Sequence, residues 1–259
     1  ETYVRYLGLV IEALPEDGVA LLNADDPLVL RMRRVCRAQT VRTFGIEAGE
    51  LRALAIESEG GLGSRVHLSD QRLLWCPAPG RHNVYNLLAA VTAADMLGVH
   101  PDHAAQVLQS FVMPPMRWEV HHLGEVTLIN DAYNANPQSM RAAVSTFCEQ
   151  PAVRRIAVLG GMRELGEQTE ALHQELGCWL ASKPLDRLLT VGPLARGLAD
   201  GARGGGATFP VETCADVDGT IKWLRSALQP GDVILLKGSR LEGLERIANG
   251  LLHGKVPAC

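Results

Sequence analysis

Val126-Thr127-Leu128-Ile129-Asn130-Asp131-Ala132-Tyr133-Asn134-Ala135-Asn136-Pro137-Gln138-Ser139-Met140 runs from an apolar segment through a polar turn into a proline-led helix start. Val126, Leu128 and Ile129 predict a buried strand. Pro137 suits a first helical turn, where its missing N–H costs nothing and where the free amides can face an anion. Polar side chains at such a junction either touch a ligand or cap the helix, and the run alone leaves both readings open.

The same alternation continues to the end of the chain. Strands are predicted at 126–130, 154–159, 186–191, 207–211 and 232–236, and helices at 138–149, 168–182, 193–200, 215–228 and 242–252. Strands alternating with helices at this spacing imply βαβ units, hence a parallel sheet with helices on both faces. The first half reads differently. A helix over 3–14, a turn at Pro15–Gly18 and a short strand Val19–Leu22 lead into the acidic turn Asn23-Ala24-Asp25-Asp26-Pro27 and a helix over 28–35. Its two carboxylates either cap that helix or serve chemistry at a strand's end. Short β-rich runs at 40–44, 51–56, 64–68 and 72–75 predict a small antiparallel meander. Helices follow at 83–97 and 101–111, then a linker over 112–117 rich in Pro and Met, so the domain boundary is placed near 115. Gly204-Gly205-Gly206 reads as a loop tip.

Composition excludes several classes. A chain of 259 residues with formal net charge −4 has no global basic field for nucleic acid. The six cysteines (Cys36, Cys76, Cys148, Cys178, Cys214 and Cys259) form no Cys-x-x-Cys pair, which fits a reduced cytoplasm better than a zinc site or a disulfide framework. No apolar run approaches the roughly 18 residues of a membrane span. There is also no Gly-x-x-x-x-Gly-Lys-Ser/Thr loop, nucleophile elbow or dinucleotide fingerprint.

Four further groups carry chemistry. His82, Asn83 and Asn86 stand at a helix entrance, and amide side chains both donate and accept, as the edge of an adenine demands. Arg117 offers a planar fork for a phosphate, with a surface salt bridge as the ordinary alternative. Asp131 at a strand's end accepts from ribose hydroxyls or caps. The loops Gly160-Gly161-Met162-Arg163-Glu164-Leu165-Gly166 and Lys237-Gly238-Ser239-Arg240 follow two predicted strands and should open on one sheet edge. His173 reads as a packed or surface histidine rather than a base.

In order along the chain, Asn23-Ala24-Asp25-Asp26-Pro27, Gly80-x-His82-Asn83-x-x-Asn86, Arg117-x-Glu119, Asp131-x-Tyr133-Asn134-Ala135-Asn136-Pro137-x-Ser139-Met140, the Gly160–Gly166 loop and Lys237-Gly238-Ser239-Arg240 together resemble the Mur ligase family. The resemblance covers nearly the whole chain. It implies an α/β protein: the latter part of a central ATPase domain with its β meander over 1–114, then a Rossmann-like, mostly parallel domain over 115–259. The implied activity is an ATP- and Mg2+-dependent amide ligation in peptidoglycan precursor synthesis. An acyl phosphate on UDP-N-acetylmuramoyl-tripeptide is attacked by the amine of D-alanyl-D-alanine, in a cytoplasmic, monomeric enzyme.

By position, the resemblance puts His82, Asn83 and Asn86 at adenine, Arg117 at phosphate and Asp131 at ribose. Asn134, Asn136, Ser139, Lys237, Ser239 and Arg240 would border the dipeptide. The family's metal-binding lysine and its acidic neighbour fall near Leu7 and Leu9, and its Gly-Asp-Met loop reads Gly160-Gly161-Met162 here. The phosphate loop would precede Glu1, so the chain by itself is not expected to complete the reaction. A nucleotide-binding or partner-docking module that has lost catalysis is the alternative. A folylpolyglutamate synthetase-like ligase fits less well because of Tyr133-Asn134-Ala135-Asn136-Pro137.

Overall fold

The computed structural model describes residues 2–253; Glu1 and 254–259, with Cys259, lie outside the described residues. Cys36, Cys76, Cys148, Cys178 and Cys214 are free thiols. The chain divides into two units after Val112. Among the described residues no helix is long and apolar enough to cross a membrane.

In the first unit α1 (Thr2–Glu12) leads to β1 (Val19–Asn23) and then α2 (Pro27–Arg31). Asp26 caps α2, its Oδ1 accepting from the N–H of Leu28 at 2.8 Å and of Val29 at 3.2 Å, which satisfies amides that a helix start leaves free. β2 (Thr40–Gly45), β3 (Leu51–Ser58), β4 (Ser64–Leu68) and β5 (Leu73–Cys76) precede α3 (Arg81–Met96) and α4 (Pro101–Gln109). The sheet order is β1-β2-β3-β4-β5.

The meander expected over 40–76 needs correction at its first strand. β2 runs parallel to β1, β3 runs parallel to β2, and only β3, β4 and β5 are antiparallel. The connection from β1 to β2 carries α2, so the chain has length enough to return in the same direction. The other acidic residue of the turn explains the short β2–β3 pairing. Asp25 Oδ2 accepts from the N–H of Ile46 at 2.6 Å and Glu47 at 3.0 Å, and Oδ1 from Ala48 at 2.8 Å. The loop wrapped on this carboxylate carries β3 past the end of β2, and only Phe44↔Leu51 and Gly45↔Arg52 pair. Val84, Leu87, Leu88 and Val91 of α3 recur at helical spacing and pack on Phe44, Val66, Leu68 and Leu74. Each such buried side chain stabilises by roughly 1.5–3 kcal/mol.

The second unit runs β6 (Glu119–Leu123), β7 (Val126–Asn130), α5 (Pro137–Cys148), β8 (Arg154–Gly160), α6 (Thr169–Leu180), β9 (Arg187–Val191), α7 (Arg196–Gly204), β10 (Val211–Cys214), α8 (Val217–Ala227), β11 (Asp232–Lys237) and α9 (Glu245–His253). Its sheet has the order β10-β9-β8-β11-β7-β6 and is parallel except where β6 pairs with β7. Alternate strand residues go to opposite faces. Ile129, Leu159, Leu188 and Leu235 pack under Phe147 of α5, Leu176 of α6 and Leu198 of α7. Leu128, Val158, Leu189 and Ile234 pack against Leu224 of α8 and Ile247 and Leu251 of α9. Burial on both faces is why the central strands β8 and β11 carry the uninterrupted apolar runs Ile156–Leu159 and Val233–Leu236.

Three local readings are corrected. The strand expected at 207–211 lies at Val211–Cys214, and the helix expected at 193–200 is a 3-10 turn followed by α7, which extends to Gly204. β6 was not foreseen, because its Glu-Val-His-His-Leu sequence is that of a half-wet antiparallel edge. Gly177 of α6 and Gly201 of α7 let these two helices meet backbone to backbone: a Cβ on Gly201 would sit 2.1 Å from the Gln174 carbonyl oxygen, and one on Gly177 2.3 Å from that of Leu198. At the amino-terminal edge of the sheet Arg154 grips buried Asp232 through Nε at 2.7 Å and Nη2 at 2.6 Å.

Burial pushes the Asp25 carboxyl up, but the N–H groups of Glu47, Ile46 and Ala48 and the Tyr85 hydroxyl outweigh it and hold the carboxyl below its ordinary range. A lowered folded-state value contributes stability above the unfolded value, about 4, and loses it as pH falls through the folded value. Amide exchange protection at Ile46, Glu47 and Ala48 should therefore be full at neutral pH and decline below about pH 4. It should be weak at every pH in Asp25→Ala. Protection that ignores both acid and the substitution would dismiss Asp25 as the organiser of the loop.

Candidate functional site

β7 and β11 are neighbours, so the residues following them meet at the carboxyl edge of the sheet, the side on which open parallel sheets bind ligands. The N–H of Asp131 continues the ladder by donating to the Leu236 carbonyl at 2.9 Å. Lys237 is only 4% exposed, and its Nζ donates to Asp131 Oδ2 at 2.7 Å, the Asn134 carbonyl at 3.1 Å and the Asp131 carbonyl at 3.4 Å. An ammonium has three donors, and all are used within the protein. Direct contact with a dipeptide would require Lys237 to release one of them.

The other Asp131 oxygen, Oδ1, accepts from the N–H of Trp118 at 3.2 Å. Each carboxylate oxygen keeps a lone pair for a hydroxyl. This bond helps to hold an unusual backbone. Met116 and Trp118 flank Arg117 with φ of 60° and 55°, a left-handed conformation that costs non-glycine residues about 1–3 kcal/mol each. Met116 N–H donates to Glu119 Oε2 at 3.0 Å, and Tyr133 N–H to the Met116 carbonyl at 3.1 Å. Arg117 projects between these anchors with its guanidinium carbon 4.2 Å from the centre of the Tyr133 ring.

The Asn-rich turn divides its work. Asn136 and Ser139 form a capping box: Ser139 N–H donates to Asn136 Oδ1 at 2.8 Å, and Asn136 N–H to Ser139 Oγ at 3.0 Å. Asn134 is exposed, with Oδ1 accepting from Ala135 N–H at 2.8 Å. Buried Ser239 accepts from Arg163 N–H at 2.9 Å and donates to the Ala135 carbonyl at 3.4 Å, joining the loops after β8 and β11 as their parallel strands predict. Arg240 is exposed, its Nη1 on Met116 Sδ and 3.7 Å from Glu245. His173 is packed as expected: its Nε2 accepts from Met162 N–H at 2.9 Å while Nδ1 faces the Thr169 carbonyl at 2.6 Å, fixing the loop from inside.

His82, Asn83 and Asn86 cluster within the first unit. Asn83 is buried; its Nδ2 donates to the Pro79 carbonyl at 2.8 Å and lies 3.2 Å from His82 Nε2, while its Oδ1 accepts from Asn86 Nδ2 at 3.2 Å. The buried amide thus orders its exposed neighbours, and the Asn86 carbonyl oxygen remains available to a base. Tyr133 stood in the sequence motif without a role; an aromatic two residues after a strand-end Asp, with an Arg upstream, was the available signal. Glu119, which helps to fix the backbone around Arg117, stood in the Arg117-x-Glu119 motif without a role, and Trp118 gave no signal.

Among the described residues no set of side chains forms a magnesium site by itself. Leu7 and Leu9 on α1 are apolar and exposed, and among the described residues no three His, Cys, Asp or Glu side chains converge. An aspartate at Gly161 would also collide, since a Cβ there would lie 2.7 Å from Leu194 Cβ, Cγ and Cδ2.

Residues 1–94 match the family described as Mur ligase middle domain, and residues 116–240 match the one described as Mur ligase, glutamate ligase domain. The chain is 32% identical to the UDP-N-acetylmuramoyl-tripeptide–D-alanyl-D-alanine ligase of Bacillus subtilis, over 95% of its own length and 54% of the relative's. It is also 32% identical to the ligase of that name from Escherichia coli, over 94% and 54%. A crystal structure of MurF from Acinetobacter baumannii superposes with TM-score 0.85 at 26% identity, covering 97% of this chain and 55% of that one. MurF from Thermotoga maritima in complex with ADP gives TM-score 0.79 at 25% identity, over 93% and 55%. The chain spans about half the length of the curated relatives it matches.

Lys237→Met should cost the second unit about 3 kcal/mol, because it removes the cationic partner of a largely buried carboxylate, Asp131. Replacing both residues by leucine should recover much of that loss. Denaturant unfolding followed by tryptophan fluorescence reads both values, and a single variant as stable as the parent would deny the pair any structural role.

Proposed function

The chain belongs to the Mur ligase family, and from that premise we propose that it is the later half of an ATP-dependent amide ligase of peptidoglycan precursor synthesis. Residues 1–114 are read as the latter part of the central ATPase domain and 115–259 as the carboxyl-terminal domain. The full-length protein, on this reading, works in the cytoplasm and adds D-alanyl-D-alanine to UDP-N-acetylmuramoyl-tripeptide.

A carboxylate resists attack by an amine until it carries a leaving group. ATP supplies that group by phosphorylating the tripeptide carboxylate, and amine attack on the acyl phosphate then expels inorganic phosphate. The family resemblance suggests a part for each residue. His82, Asn83 and Asn86 receive adenine, with Asn83 ordering the other two. Asp131 accepts from the ribose hydroxyls through its spare lone pairs. Arg117 meets a phosphate with its planar fork and offsets crowded negative charge. Asn134 and Arg240 border the dipeptide directly; Asn136, Ser139, Lys237 and Ser239, engaged with the protein itself, hold that border in place. The observation that carries the reading is Arg117, exposed and stacked on Tyr133, with no carboxylate partner among the described residues.

Leu7 and Leu9 favour a second reading, a nucleotide-binding module that no longer catalyses, because neither side chain can serve a metal. The two readings diverge in a phosphate-release assay on the full-length protein. The ligase reading expects release that requires ATP, the tripeptide substrate and D-alanyl-D-alanine together, falls at least about tenfold in Arg117→Gln, and is absent from the 259-residue chain alone. Tight ADP binding without turnover would pass the assignment to the module. Turnover by the isolated chain would refute its description as a half.

A further inference from the structure

We propose that Tyr133 is a positioning residue: its ring holds one face of the Arg117 guanidinium so that the N–H edge stands ready for an anion. The inference rests on the reading of Arg117 as a phosphate ligand and adds how that arginine is kept in place.

Three independent features point to it. The first is the stack itself, 4.2 Å from guanidinium carbon to ring centre, a geometry that engages the cation's flat face and leaves its in-plane donors uncovered. The second is the backbone. Left-handed residues on both sides of Arg117 are strained, and three hydrogen bonds maintain them: Met116 N–H to Glu119, Trp118 N–H to Asp131 and Tyr133 N–H to the Met116 carbonyl. The last of these fastens the backbone of Tyr133 to the residue before Arg117, so ring and guanidinium are brought to the same place by main-chain contacts.

The third feature is the diversion of nearby acids. Glu119 is two residues from Arg117, yet its Oε2 accepts from Met116 N–H and from Asn130 Nδ2 at 3.1 Å, and its Oε1 lies 3.4 Å from His121 Nε2. Asp131 is taken by Lys237 and Trp118. Both carboxylates that would ordinarily close a salt bridge with Arg117 are thus committed elsewhere. The ring, uncharged, orients the cation without neutralising it. An exposed arginine gives up rotamer freedom when it grips an anion, and one already resting on a ring gives up less.

The test uses the full-length protein, with ADP and adenosine as titrants and the Arg117 Nε–Hε resonance as a direct view of the stack. The parent and Tyr133→Phe should show an Nε–Hε signal shifted upfield by the ring, and Tyr133→Leu should lose the shift. Tyr133→Leu should weaken ADP roughly two- to fivefold, the size of an exposed cation–π contact, and leave adenosine unchanged. In an Arg117→Gln background it should cost nothing further. A missing ring shift in the parent, an equal loss in both backgrounds, or a matching loss for adenosine would overturn the positioning role. A normal ring shift together with unchanged ADP affinity in Arg117→Gln would instead bring down the phosphate reading, and the role of Tyr133 with it.

Discussion

Burying the ammonium of Lys237 at the end of β11 creates a demand that the surrounding chain has to meet, since a charge withdrawn from water costs several kcal/mol unless it is paired and fully hydrogen-bonded. Asp131 and two carbonyls meet it. The same carboxylate then holds Trp118, and Trp118 is part of the strained turn that presents Arg117. Order at this sheet edge is therefore propagated from one buried cation outward, through a carboxylate, to a segment that lies well before both in sequence. Loop propensities alone would not give that arrangement, because left-handed Met116 and Trp118 are unfavourable by themselves.

The second unit was legible in the sequence wherever burial on two faces forced uninterrupted apolar runs, as at Ile156–Leu159 and Val233–Leu236. Where a strand is half wet the signal faded: β6 was missed, and β10 was placed too early. The first unit misled over Thr40–Gly45, because a strand's own residues do not say which direction its neighbour runs; that depended on α2 and on the loop gathered around Asp25. Among the candidate site residues, type and approximate place were readable. Whether a side chain faces a ligand or the protein was not, since Asn136 and Ser139 cap each other and Lys237 exhausts its donors internally. For Lys237 that choice is made by a partner 106 residues away, whereas Asn136 and Ser139 settle it between themselves within one turn.

The polar turn after β7 also shows how one short run serves two ends. Its second half stabilises the start of α5 through reciprocal caps, a contribution of about 1 kcal/mol for a good cap. Its first half accepts the lysine and supplies the aromatic surface under Arg117. Fixing the helix start anchors the turn at one end and the β-ladder anchors it at the other, so the residues between have little freedom to drift.

The glycine contact between α6 and α7 has a consequence for how this scaffold can change over generations. Where backbones touch through Gly177 and Gly201, even a methyl group would wedge the two helices apart, so this seam tolerates almost no variation. Exposed positions outside that seam, such as Arg203 near the end of α7, carry no such restriction from backbone contact. Substitutions at such places alter the surface of the scaffold while the distance between the two helix axes stays as it is.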